Sequence, residues 1–487
     1  KSIWEFIQDT PDLSQLKKVL KYAGKGSKEL LDDKEKKITF FAPLNVERKH
    51  RAMEVMEHGD PMEHVAAWDR IVREVDDIEA SKKGDDGDDD EDDDDERKKR
   101  RRKILAFLID ATIRYHVVDS AKPLTAWELA QNSTVASLLK VHGERTREVV
   151  GNLLDGEPFR VRVGKVILPR WSVVLNGYSP IVYRDVEVGG SLVHGVRYPL
   201  LIPPSTLQAL FYGQATFSTL TSAAQKVDVD TYLKIPFNHS AVHHHHHNKG
   251  GSDKSLGLVR ALEKDHETHP PAHAHGLEAL TLFAPGNLAF LRLPAGLKLF
   301  LFSPFGSRVL QKVLAFHTLP RTAFFADAVY GVPGVKAAQD ETRDAAEVAA
   351  LFGEAAGWGG PANVTRFKFD TALPKLRCHK HKHGDEASVS KKKPEFEQVD
   401  VEVFRYYPLP GGKGPLQTRI AVEGVPVVFQ DISTANGAAH LIERFIVPKS
   451  LRHGHGHDDD DEDASSYSIW HHVVDEAERA GYGRFDL

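Results

Sequence analysis

Apolar residues first recur at helical spacing. Ser2-Ile3-Trp4-Glu5-Phe6-Ile7 is followed by Leu13, Leu16, Val19 and Leu20, which predicts amphipathic helices. A strand pattern then ends in Thr39-Phe40-Phe41-Ala42-Pro43-Leu44-Asn45. Further on, an apolar helix passes into a strand at Tyr115-His116-Val117-Val118. Phe159, Val161 and Val163 alternate with Arg160 and Arg162, as in a half-buried strand.

The pattern then repeats. Phe217-Ser218-Thr219-Leu220, Ala223, Ala224 and Val227 restart the helical spacing. Thr281-Leu282-Phe283-Ala284-Pro285-Gly286-Asn287 restates the strand phrase, and Phe316-His317-Thr318-Leu319 restates the aromatic-His pair. The closing phrases align without gaps, from Pro180 through Asp185 to His194 and from Pro426 through Asp431 to His440. Two copies of one domain, interrupted at different loops, are the economical reading: a first domain over 1–210, a second over 215–450, and a tail over 451–487.

The interruptions are compositional. Between Asp85 and Glu96, eleven of twelve residues are acidic, and Arg97 to Lys103 are all basic. Like-charge blocks repel themselves and bury nothing, so 76–103 is expected to be a disordered insertion. The second domain is expected to carry a His-rich insertion at 236–276, with a short helix near Leu256–Leu262, and another insertion at 330–393. In the tail, Tyr467–Asp475 reads as a helix packing through Trp470 and Val474.

These phrases resemble the fasciclin-type adhesion domain, in its Thr-Phe-x-Ala-Pro-x-Asn motif, its Tyr-His pair and its closing Asp-Ile…Asn-Gly-x-x-His motif. The insertion style resembles fungal members. The matching fold-motif residues are Pro43, Asn45, Tyr115, His116, His194, Pro285, Asn287, His317, Asp431, Asn436, Gly437 and His440. Phe316 stands where the family has tyrosine, and Gly189-Gly190 stands where the family has Asn-Gly. The resemblance implies an α+β fold: two tandem domains, each a twisted antiparallel sheet wedge packed by short helices. It also implies a non-enzymatic role in adhesion or matrix binding, in the extracellular space, at the cell surface or in a secretory-pathway lumen such as the vacuole. The partners implied are extracellular matrix, a cell-surface protein or glycan, or a second copy.

Read as chemistry, the motifs look structural. Asn45 and Asn287 can bond turn amides, and Asn436-Gly437 and Gly189-Gly190 suit hairpin turns at positive φ. His116, His194, His317 and His440 are expected in apolar strands. They read as core histidines bonded to main chain, with ligand or base as the alternative. No Gly-x-Ser-x-Gly, Walker loop or His-Glu-x-x-His occurs.

Composition adds three points. A formal charge of −6 argues against a generally basic nucleic-acid binder, and the single cysteine, Cys378, excludes an internal disulfide. Cys378, between Arg377 and His379, reads as an exposed loop cysteine rather than a reactive thiol. No apolar run is long enough to span a bilayer, and no signal peptide is visible, which is compatible with a leader already removed. The 26 histidines include His243, His245, His247, His379, His381, His383, His453, His455 and His457. In close or alternating runs these could share divalent zinc, copper or nickel, and the acidic runs could attract calcium. Metal sequestration is therefore the alternative function and a self-assembling structural subunit a further one, although no cofactor is required. Asn132, Asn238 and Asn363 begin glycosylation sequons. Asn132 is expected at the start of a helix through Val135, Leu138 and Leu139, and the other two in loops. The Arg97–Lys103 run reads as counter-charge to the acid tract, with a processing site or nuclear-import patch as alternatives.

Overall fold

The computed structural model describes residues 1–45, 68, 70–75, 77, 91–166, 171–238, 276–331, 340–357, 359–375 and 396–448. They fall into two compact units. One comprises Lys1–Asn152, Gly156–Pro203 and Phe237–Ala274; the other comprises Leu153–Asp155, Pro204–Pro236 and His275–Leu487. The division falls at Pro203/Pro204, a few residues before the junction drawn from the sequence, and places helix Thr206–Tyr212 in the second unit.

The first unit holds strands β1 (Thr39–Pro43), β2 (Val117–Val118), β3 (Thr134–Ala136), β4 (Arg160–Val166), β5 (Ser172–Leu175), β6 (Ser179–Val188) and β7 (Ser191–Val196). They form one sheet in the order β2-β1-β7-β6-β5-β4-β3. The second unit holds β8 (Leu280–Pro285), β9 (Thr318–Pro320), β10 (Ala323–Phe325), β11 (Ala328–Tyr330), β12 (Glu341–Arg343), β13 (Ala362–Pro374), β14 (Phe396–Tyr406), β15 (Gln417–Val422), β16 (Val425–Thr434) and β17 (Gly437–Ile442). Its main sheet runs β12-β13-β14-β15-β16-β17-β8-β9, with β10 and β11 as a separate hairpin. From β13 to β9 this is the order of the first sheet, element for element, with β12 added at one edge.

The α+β tandem stands, with one difference from an all-antiparallel sheet. The Thr-Phe strand runs parallel to the closing strand in both units: β1 beside β7, with Phe41 opposite His194, and β8 beside β17, with Phe283 opposite His440. A chain that leaves β1 and returns only after five further strands can slot into the centre of the sheet in either direction. Here the tight β6–β7 turn fixes which.

Helices cover β1 and β7 in the first unit, where Ile7, Leu16, Leu20, Leu31, Leu105 and Ile109 surround Phe40 and Val193. In the second, both sheet faces are buried. Leu220, Phe290, Leu297 and Leu310 pack on Leu282 and Ala439. On β14, Val399, Val401 and Val403 enter one core while Phe404 and Tyr406 enter another beneath Val348. Strict alternation along one strand therefore feeds two layers.

Two insertions expected from the sequence prove partly structured. Glu91–Tyr115 is one helix, reaching back through the whole basic block. Leu105, Ile109, Thr112 and Ile113 form its buried line, and Asp110 accepts the Gly24 amide at 2.9 Å. Acidic residues four positions before basic ones, as in Asp93/Arg97 and Glu96/Arg100, favour helix over a repelling coil. Within 330–393, β12, helix Ala345–Phe352 and β13 extend the sheet. The helix start was marked by a capping box, Asp344 with Glu347, ahead of an apolar run.

The two closing hairpins differ. Gly189 and Gly190 both have positive φ (57° and 84°) and join Val188 to Ser191, the geometry a two-residue hairpin requires. In the second unit the turn residues are Ala435 and Asn436, and Asn436 is not at positive φ as the sequence suggested. Its buried side chain is instead a junction. Oδ1 accepts from the Thr206 amide and hydroxyl, each at 3.0 Å, and Nδ2 donates to the carbonyls of Leu233, Lys234 and Leu277 at 3.1–3.4 Å. Gly437 follows at φ 147°, where a Cβ would meet the Leu280 carbonyl oxygen at 1.7 Å. Asn436→Ala should lower second-unit stability by about 3 kcal/mol, read from its urea transition, because buried main-chain groups lose their partners. An unchanged midpoint would contradict the junction.

Candidate functional site

The densest repeated constellation lies on β6 and β16. Each strand bulges twice against its neighbour: between Ile181, Tyr183 and Val186 opposite β7, and between Val427, Phe429 and Ile432 opposite β17. In each, the bulge places an aspartate at positive φ, Asp185 at 57° and Asp431 at 59°. The carboxylate then caps a neighbouring segment: Asp185 Oδ1 accepts from the Ala126 amide at 2.7 Å, and Asp431 Oδ1 from the Ala326 amide at 2.9 Å. A histidine completes the clamp. The amides of Asp185 and Asp431 donate to Nδ1 of His194 and His440, both at 3.2 Å. The opposite nitrogens, Nε2–H, donate to the Leu124 and Phe324 carbonyls at 2.9 and 3.0 Å.

His116 and His317 use the other tautomer. Nε2 accepts from the Leu200 and Ile446 amides at 2.9 and 3.1 Å, so Nδ1–H donates to Thr112 and Val313 carbonyls, both at 2.7 Å. All four rings are fully buried, with both nitrogens engaged by main chain. Burial pushes His116 and His317 down to about 4 and also lowers His194 and His440. None of the four presents a nitrogen to a substrate or ion.

The remaining motif residues also join elements. Asn45 accepts from the Gln15 amide and donates to the Pro11 carbonyl, each at 2.9 Å, tying the end of β1 to the first helices. Asn287 does the same with the Thr219 amide and Ala215 carbonyl, each at 3.0 Å. Pro43 and Pro285 end β1 and β8. The buried Tyr115 hydroxyl donates to the Arg160 carbonyl at 3.1 Å and accepts from Asn176 at 3.0 Å, and burial raises its pKa. Phe316 keeps the ring without those bonds.

The bulge turns apolar residues outward. Alternation fails there, so Val182, Tyr183, Arg184 and Asp185 are exposed in succession, as are Val428 and Phe429. In the first unit Trp127, half exposed, lies 5.9 Å from Trp171, and the Arg184 guanidinium sits 4.8 Å above the Trp171 ring. Sequence reasoning missed this surface because Trp127, Trp171 and Tyr183 are far apart along the chain and fall on no shared period.

The sequons fall differently from expectation. Asn132 follows helix Ala126–Ala130 and precedes β3, and its Nδ2 donates to the Glu128 carbonyl at 2.9 Å, so it starts no helix. Asn363 is exposed within β13 rather than in a loop, and Asn238 is exposed in a loop. The histidines His243, His245, His247, His379, His381, His383, His453, His455 and His457 lie outside the described residues, as do Cys378, Leu256–Leu262, Trp470 and Val474. Among the described residues no group of three His, Cys, Asp or Glu could hold a metal ion, and no helix is long and apolar enough to cross a membrane.

Residues 254–347 match the family model of the fasciclin domain. That segment is similar to a fasciclin domain. The matched segment spans β8, the His317 helix and β10, so it contains half of the clamp of the second unit. The first unit repeats the second unit's strand order, its parallel pair and its Asp-His clamp. Among solved structures, the chain is similar to a FAS1 domain pair from the insect cell adhesion molecule fasciclin I. The two are 12% identical with a TM-score of 0.27, over 90% of this chain and 98% of that one. No curated protein matches. Fasciclin domains are non-catalytic, adhesion-type folds.

The buried histidines set a pH response. Unfolded, each binds a proton near 6.5; folded, His116 and His317 bind one only near 4. The unfolded chain thus holds more protons in that window, and stability falls as pH drops from about 6.5 toward 4. Urea midpoints should be flat above pH 7 and then fall in both units, by up to about 1.4 kcal/mol per pH unit for each such histidine. His116→Gln should remove roughly one proton's worth of slope from the first unit. An unchanged slope would refute the assignment.

Proposed function

We propose that the protein is a non-enzymatic adhesion or matrix-binding protein of the extracellular space or secretory lumen. It needs no cofactor and binds through the outer faces of its bulged strands. One observation carries this reading. Both units direct their repeated polar chemistry inward, into the clamp, and turn adjacent apolar residues outward at the same place, Val182-Tyr183 and Val428-Phe429. Exposed aromatics beside an arginine, as with Trp127, Tyr183 and Arg184, are the residue types enriched in binding hot spots. The exposed Asn238 and Asn363 sequons fit a secretory route.

The test is adhesion to immobilised extracellular-matrix protein or cell-surface glycan. Trp127→Ser with Tyr183→Ser, or Val428→Ser with Phe429→Ser, should weaken binding about tenfold or more while moving unfolding midpoints by less than about 0.5 kcal/mol. Binding should persist in chelator. Full retention by the combined variant, or a hydrolytic activity abolished by replacing a single histidine, would sink the proposal.

A further inference from the structure

Helix Ala295–Phe302 is apolar on every side except at Lys298. Leu297 and Leu301 face the core of the second unit, and Phe300 and Phe302 pack partly against it. The opposite face, Ala295, Gly296 and Leu299, is exposed, and a Cβ at Gly296 would meet nothing within 4 Å. Leu299 is 76% exposed, more than any other large apolar residue among those described. Helix Asn287–Leu291 adds Leu291, 66% exposed, and Leu288 one turn before it. The two helices are neighbours: Lys298 Nζ donates to the Leu291 carbonyl at 3.5 Å, and the Phe290 and Phe302 rings lie 6.1 Å apart. A helix with no polar face is ordinarily covered on all sides, and an exposed apolar surface marks a place where something docks.

Charge and chain direction say what covers it. From Ala279 to Ala326 there is no acidic residue, but there are five basic ones: Arg292, Lys298, Arg308, Lys312 and Arg321. A second copy of the same face would meet like charge. The segment that follows the second unit has the opposite sign, with Asp458–Asp463 all acidic and Asp475, Glu476 and Glu478 further on. Within it, Ile469, Trp470, Val473, Val474 and Ala477 recur at helical spacing along one face. The chain also sets out towards that segment from beside these helices. Phe445 meets Phe290 edge-on, with ring centroids 5.0 Å apart, Glu443 lies 3.8 Å from Arg292, and Val447 joins the same core. The 18 residues Lys449–Ser466 can span up to about 60 Å, ample for a return.

We propose that Tyr467–Arg479 docks as an amphipathic helix on Leu288, Leu291 and Leu299 of its own chain, with the acidic run before it drawn to the basic surroundings of that face. The proposal is independent of the adhesion reading, whose residues lie on and around the bulged strands.

Hydrogen exchange of the intact chain tests it. Amides of 467–479 should exchange slowly, to the same extent at every protein concentration. Leu291→Asp with Leu299→Asp, both at exposed positions, should speed that exchange by about tenfold or more, because the apolar contacts of docking are lost. Amides of β8 and β17 should stay protected, which shows the fold intact. Trp470→Ser with Val474→Ser should have the same effect from the other side, and Leu299→Ser serves as a milder change should a paired variant misfold by circular dichroism. In a Cys378→Ser background, Leu299→Cys with Val474→Cys should form a disulfide within one chain. Exchange of 467–479 at the rate of an unstructured chain would overturn the proposal, as would protection that no variant alters, protection that rises with concentration, or disulfides formed chiefly between chains. Anionic vesicles bound through Leu291 and Leu299 by a chain whose 467–479 amides are unprotected would overturn it too, and would give the face to a lipid surface.

Discussion

The closing strand of each unit can run through the middle of its sheet only because the strand before it is bulged and held. Asp185 and Asp431 adopt a left-handed backbone that an aspartate tolerates better than most residues. Their carboxylates and the paired imidazoles fix that conformation against a segment far away in sequence. Remove the clamp and the extra residues of β6 and β16 would have no reason to stay where they are. The register with β7 and β17, and hence with the parallel Thr-Phe strands, would be lost. Two oppositely oriented tautomers per unit brace the same central strands from different sides. His116 and His317 accept from the segments following β7 and β17, while His194 and His440 donate across to residues 124 and 324.

Much of this was legible in the sequence. The gapless match from Pro180 to His194 and from Pro426 to His440 is the clamp strand, its turn and its histidine, and these repeat because the geometry permits few alternatives. The phrases ending in Asn45 and Asn287 were legible for the same reason: each asparagine closes the same gap between strand and helix. What escaped reading was set by distance or context. The parallel pairing of β1 with β7 joins segments about 150 positions apart, and local pattern carries no direction. Asn436 looked like a turn residue because Asn-Gly usually is one, yet its side chain answers to Thr206 and three carbonyls that only the folded unit assembles. The Trp127–Trp171–Arg184 cluster likewise exists only once helix, strand and loop have met.

Charge was read too simply. A run of acids and a run of bases each argue for a solvated coil, but set end to end they support one another at helical spacing, and an anchored apolar line pulls them into order. The segment 341–374 was misjudged for a related reason. Its small alanine-rich helix carries little amphipathic signal, although its capping box was visible.

The two units also differ in how tightly they hold the same device. Asp431 is fully buried, with Phe283 and Phe324 rings 5.5 and 5.7 Å from His440, whereas Asp185 keeps much of its side chain in water. The same gradient runs along the long helix, firm where Leu105 and Ile109 are gripped and exposed where Lys99 and Arg102 stand. Processing enzymes require extended substrate, so a basic pair wound into a helix is shielded by its hydrogen bonds rather than by cover. The rate at which a protease nicks this chain there is thus a gauge of how often the first turns unwind, and anything that stiffens the helix would act as a protease inhibitor at a distance.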